Sequence, residues 1–138
     1  MDATDDYRRG RHVVSAMHVH LVFTPEYRRS VFDDAMLTRC EQVMRDVCGD
    51  FEATLVEFNG EEDHVHLLVE YPPKVAVAAL VNSLKGVSAR RLRQDFVGQV
   101  NRASLGGRFW SPSYFAASCG GAPLSTIRAY VEQQRRPT

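Results

Sequence analysis

Glu62-Asp63-His64-Val65-His66-Leu67-Leu68-Val69-Glu70 puts two histidines two residues apart inside an apolar, β-favouring run. Side chains in a strand alternate between its faces. His64 and His66 therefore share one face, and Asp63, Val65 and Leu67 are expected on the other. Two neutral imidazoles side by side on a rigid strand can chelate one divalent ion once a third ligand arrives from elsewhere in the fold. Equally, the spacing suits two partly exposed strand histidines with no ion between them.

The elements around this strand follow from periodicity and breakers. Met1 to Arg11 is polar and lacks an apolar period, so residues 1–11 are expected to be a flexible tail and 12–138 a single domain. His12 to Phe23 is rich in β-branched and aromatic residues and predicts the first strand, which Thr24-Pro25 ends. It carries a second His-x-His, His18 and His20, which is either a rival metal pair or a pair of central-strand histidines with a hydrogen-bonding role. Asp33 can cap a helix to about Cys48, stopped by Gly49, with Ala35, Met36, Cys40, Val43, Met44 and Val47 as its apolar stripe. Phe51 to Phe58 predicts a second strand, Asn59-Gly60 a hairpin turn into the histidine strand, and Pro72-Pro73 the end of that strand.

A second helix is predicted from about Val75 to Phe96 and a mobile connector over Val97 to Gly107. Phe109 to Ala117 predicts the last strand, and Pro123 can open a C-terminal helix at a position where its missing amide hydrogen costs nothing. This order of strands and helices is that of a ferredoxin-like, RRM-like α/β sandwich with a central antiparallel sheet. In that topology the first and third strands are central neighbours. The histidine strand then sits mid-sheet, a rigid place for metal ligands.

Charge narrows the partner. The net charge is zero, but residues 1–81 hold eight basic and fifteen acidic side chains, whereas residues 82–138 hold nine and two. Such asymmetry suggests one basic surface able to meet phosphate, if the fold does not interleave the halves. The second helix concentrates it: an apolar first half is followed by Lys85, Arg90, Arg91 and Arg93, with Gly86 and Ser88 small enough for a close backbone approach. That half-helix is either a phosphate reader or a solvated face. Trp110 and Tyr114 could stack on unpaired bases or pack in the core. No apolar run reaches membrane-spanning length and no signal peptide is evident. Cys40, Cys48 and Cys119 lack paired spacing, so reduced thiols in a cytoplasmic protein are expected.

On the last predicted helix, Tyr130 lies four residues before Gln134, so the two project from one face. Alone, Tyr130 is an ordinary amphipathic contact and Gln134 a solvated terminal residue. Together with a His-x-His strand they could supply a nucleophile and a third metal ligand.

The stretches Asp63-His64-Val65-His66-Leu67-Leu68 and Tyr130-Val131-Glu132-Gln133-Gln134 resemble the motifs of the small single-tyrosine HUH transposases of insertion sequences (TnpA type). His20-Leu21-Val22-Phe23 leading to Tyr27-Arg28-Arg29, Leu84 to Arg90, and Phe109 to Phe115 also match that family, and the likeness runs from about His12 to Gln134. It implies cleavage and rejoining of single-stranded DNA through a 5′-phosphotyrosine, with Tyr130 as nucleophile and His64, His66 and Gln134 as metal ligands. It also implies Mg²⁺ with Mn²⁺ as a substitute, although two imidazoles by themselves would suit manganese or zinc better. The implied partners are single-stranded DNA and DNA hairpins at element ends and a second copy of the chain in a homodimer, with no membrane. Arg28, Arg29, Lys85, Ser88, Arg90, Arg91 and Arg93 are the candidate DNA contacts. Two rivals are a domesticated or non-catalytic hairpin-binding protein on the same fold, and a metal-dependent phosphodiesterase that uses water.

Overall fold

A computed structural model describes residues 8–9, 14–15, 17–103 and 107–118. Its main sheet has four antiparallel strands: β1 (Met17–Phe23), β2 (Thr54–Glu61), β3 (His64–Tyr71) and β4 (Phe115–Ser118). They lie in the order β2-β3-β1-β4. The two central strands are therefore the first and the histidine strand, as the ferredoxin-like order requires. Upstream, Arg8–Arg9 pairs antiparallel with Val14–Ser15, inside and just beyond the expected tail.

Helices α1 (Asp34–Asp50) and α2 (Val77–Asp95) cover one face of the sheet. Asp33 caps α1 as expected, its side chain accepting from the Met36 amide at 2.9 Å. The buried stripe of α1 is Met36, Cys40, Val43, Met44, Val47 and Cys48, and Ala35 points outward instead. These side chains meet Val19, Leu21, Phe23, Val65, Leu67 and Val69 from the two central strands, alternate residues that share one face. A short helix, α3 (Val97–Arg102), occupies much of the expected connector.

The hairpin between β2 and β3 turns later than the Asn59-Gly60 signal implies. Asn59 and Gly60 lie within β2, paired with His66 and Val65, and Glu61 pairs with His64, so Glu62-Asp63 is the turn. Gly60 serves another purpose. A Cβ there would lie 2.6 Å from Leu37 Cδ2 and 3.1 Å from the His64 carbonyl oxygen, so the glycine lets α1 approach the sheet. A bulge at Val56, between Leu55 and Glu57, lets Leu55 and Phe58 both face the helices.

The last strand is shorter than expected. Only Phe115–Ser118 pairs with β1, while Trp110 bridges to Pro25 and packs among Phe23, Phe32 and Phe109.

Candidate active site

Strand alternation assigns the two faces of the sheet opposite tasks. The face away from α1 and α2 carries His64, His66, Leu68 and Glu70 from β3, His18, His20 and Val22 from β1, and Glu57, Asn59 and Glu61 from β2. His64 is 3 % exposed, His66 6 % and His20 2 %, so this face holds three buried imidazoles. A buried polar side chain has to be hydrogen-bonded to persist.

Each of the three meets that requirement. His20 Nδ1 and His66 Nε2 share one hydrogen across 2.7 Å, with the rings 4.9 Å apart and 16° from parallel. The two residues are diagonal neighbours on adjacent strands, since His66 pairs with Val22 and His20 with Leu68. Burial holds the His20 pKa below its ordinary value, against the pull of Glu57 in the same cross-strand row.

His64 Nδ1 donates to Asp63 Oδ1 at 3.1 Å, and Asp63 Oδ2 accepts from Arg28 Nη2 at 3.2 Å. Asp63 was expected on the opposite face from His64. It lies in the turn, where strand alternation does not apply, and its carboxylate folds back onto the ring it precedes. The signal that finds it is the two-residue turn closed by Glu61 and His64, not the alternation within β3.

Arg28 arrives by an unusual backbone path. Tyr27 and Arg28 have φ of 60° and 53°, in the left-handed region, at about 1–2 kcal/mol each for non-glycine residues. The segment is braced by the Glu26 amide on the Phe109 carbonyl at 2.9 Å, the Arg28 amide on the Pro25 carbonyl at 2.8 Å and the Ser111 amide on the Thr24 carbonyl at 2.8 Å. Arg28 is thus turned inward to a carboxylate, whereas the neighbouring Arg29 is exposed, its guanidinium 5.8 Å from the Tyr27 ring centre.

The other expected DNA contacts divide sharply. Ser88 is fully buried and its hydroxyl accepts from Trp110 Nε1 at 2.9 Å, while Trp110 itself is 4 % exposed. Neither is presented to a nucleic acid, because the aromatic cluster beneath α2 captures both. Lys85 is drawn inward as well: its ammonium donates to the Ser111 carbonyl at 2.6 Å and stands over the rings of Phe23 and Tyr114. Burial lowers its pKa, with Glu26 opposing the shift. Gly86, by contrast, has open space where its Cβ would be. Arg90 and Arg91 are exposed, and Arg93 Nη2 donates to the Gly107 carbonyl at 3.0 Å. Tyr114 keeps 40 % of its surface exposed. These basic residues belong to the helical layer, so the sheet separates them from the histidine face.

Tyr130, Gln134 and the stretch expected to form a C-terminal helix lie outside the described residues, as does Cys119. Among the described residues no three His, Cys, Asp or Glu side chains are placed to hold a metal ion. A site on this face needs a ligand from beyond them.

The fold and the paired histidines together define a class of protein, and comparison with known sequences agrees with it. Residues 13–134 match the family model described as IS200-like transposase. The chain belongs to that family. It is 30 % identical over 129 residues to the ISDra2 transposase TnpA of Deinococcus radiodurans, covering 94 % of this chain and 91 % of that one. It is also 30 % identical over 115 residues to the transposase for insertion sequence element IS200 of Salmonella typhimurium, covering 83 % and 74 %. Among solved structures, a crystal structure from D. radiodurans described as that of a transposase superposes with a TM-score of 0.79 at 29 % identity, over 94 % of this chain and 99 % of the other. A REP-associated tyrosine transposase bound to a REP hairpin shares the fold, with a TM-score of 0.55 at 13 % identity, over 91 % of this chain and 68 % of the other. Among the described residues no helix is long and apolar enough to cross a membrane.

Proposed function

We propose that this chain cuts and rejoins single-stranded DNA at insertion-sequence ends, with Tyr130 as the nucleophile and a divalent ion on the histidine face. The observation that carries the reading is the pair of buried strand histidines, one with its ring fixed by a carboxylate, in a chain of the IS200-like transposase family. The donor set fits an ion in chemical type. His64 is held through Nδ1, the arrangement that orients a ligating imidazole and presents its other nitrogen. His64, His66 and the side-chain oxygen of Gln134 would hold the ion. When bound, it would supply charge to polarise the scissile phosphate. Mg²⁺ is the proposed ion, with Mn²⁺ able to replace it.

The phenol of Tyr130 attacks phosphorus. A tyrosyl O–P bond forms, the bond from phosphorus to the 3′-oxygen breaks, and that oxygen leaves as a 3′-hydroxyl with the proton the phenol gives up. The 5′-phosphotyrosine keeps the energy of the phosphodiester, so a second 3′-hydroxyl reseals the strand by the reverse exchange. Each chain has one such tyrosine and exchange of two ends needs two, which supports a homodimer. Recognition of hairpins at the element ends is supported by a protein of the same fold solved on a REP hairpin. Exposed Arg90 and Arg91 would meet DNA phosphates from the helical layer.

The test is a denaturing gel of the full chain with single-stranded oligonucleotides from its own genomic flanks and Mg²⁺ or Mn²⁺. A covalent protein–DNA band is expected for the wild type, lost in Tyr130→Phe and His64→Ala and abolished by EDTA. Hairpin binding with no band on any flank would replace this reading with the non-catalytic binding protein. Cleavage that survives Tyr130→Phe would mean a phosphodiesterase using water.

A further inference from the structure

The segment that joins β1 to α1 is tied to the histidine hairpin at more points than a connector needs. The amides of Val31 and Phe32 both donate to the Glu62 carbonyl, at 2.9 and 3.1 Å. One turn residue of the hairpin therefore accepts two backbone bonds from this segment, and the next, Asp63, accepts from Arg28. Two consecutive non-glycine residues, Tyr27 and Arg28, sit in the left-handed region just upstream. Such outliers persist only where the surroundings over-determine them. Here the result is a bend that returns Arg28 to the hairpin tip.

We infer that Arg28 is a positioning residue of the ion site, holding the Asp63 carboxylate so that His64 keeps its Nδ1–H and offers Nε2. The inference rests on the ion reading proposed above. The relay runs from Arg28 Nη2 to Asp63 Oδ2 at 3.2 Å, then from Asp63 Oδ1 to His64 Nδ1 at 3.1 Å. A carboxylate beside a histidine has a choice of rotamers; a guanidinium on its second oxygen removes that choice and leaves the first oxygen aimed at the ring. His64 is 3 % exposed, so water cannot readily take the carboxylate's place. Arg28 thus acts through two other residues and needs no contact with the ion.

The full chain is titrated with Mn²⁺ by electron paramagnetic resonance, without DNA, and its histidine ring protons are followed by NMR. Arg28→Ala is expected to weaken Mn²⁺ binding by about tenfold or more, the usual range for loss of an outer partner of a metal ligand. It should add nothing in an Asp63→Ala background, because both changes break the same relay. Arg28→Lys should recover part of the loss, and Arg39→Ala, in a surface pair with Asp95, should change affinity less than about twofold. The wild type should show a protected His64 Nδ1–H resonance that Arg28→Ala loses. Should Arg28→Ala not fold, that wild-type resonance decides, and its absence would overturn the inference. Unchanged Mn²⁺ affinity in Arg28→Ala, with weaker binding of single-stranded DNA in EDTA, would make Arg28 a phosphate contact instead. A wild type that takes up no Mn²⁺ would overturn the ion reading and this inference with it, whereas Mn²⁺ uptake lost in His64→Ala but indifferent to Arg28 would overturn this inference alone.

Discussion

Trp110 Nε1 donates to Ser88 Oγ across 2.9 Å in the core, joining the segment before β4 to the middle of α2. The serine hydroxyl in turn donates to the Lys85 carbonyl at 3.2 Å, so its only hydrogen is spent within its own helix. Ser88→Ala strands the buried indole N–H and should cost about 1–3 kcal/mol. Urea denaturation would register this as a lower midpoint at unchanged slope. Affinity for single-stranded DNA should stay the same, since the hydroxyl is fully buried.

Arg90 and Arg91 should behave in the opposite way. Both are exposed on α2, with the sheet on the far side of the helix. Replacing either with Ala should leave stability within about 0.5 kcal/mol. Binding to single-stranded DNA should weaken, and the slope of log affinity against log salt should shrink by about 0.7 for each phosphate contact removed. A salt titration of the wild type and the two single variants measures both effects. Unchanged slopes would remove this face from the DNA path.

The α1 thiols set an alkaline limit on the fold. Burial pushes Cys40 up to about 12 and Cys48 up to about 11 from an ordinary 9.0. Between 9.0 and those values the folded chain holds protons that the unfolded chain has lost. Their contribution is therefore complete below 9.0 and lost as the pH rises through the folded values. Stability should fall from about pH 9 upward, less steeply in a Cys40→Ala, Cys48→Ala chain. At about pH 8 both thiols should resist alkylation in the native chain and react once it is unfolded, which mass spectrometry would show.

The elements were legible where one residue carries the signal. Asp33 announces α1, Thr24-Pro25 and Pro72-Pro73 end the central strands, and alternation places His64 with His66 and Val65 with Leu67. Asn59-Gly60 misleads because a glycine that admits a neighbouring helix has the same sequence signature as one that turns a hairpin. Only the 2.6 Å approach of Leu37 tells them apart. Lys85 and Ser88 were expected at the DNA, and Trp110 either there or in the core, because residue type alone allows both. Which side of α2 is buried, however, depends on an aromatic cluster more than twenty positions away in the chain. For the same reason Asp63 and Arg28 were not joined, since no local period links residues that meet across a loop and a turn.

The Val56 bulge has a consequence for assembly. Among the described residues β2 and β4 are the outer strands of the sheet. An outer strand with regular pairing groups is a template for another chain, and a bulge together with charged side chains spoils that template. β2 has the bulge, with Val56 displaced outward, and carries Glu57 and Glu61 on its histidine face. β4 (Phe-Ala-Ala-Ser) has neither interruption nor charge. The outer strand of the hairpin, β2, is therefore the one guarded against being prolonged by another chain.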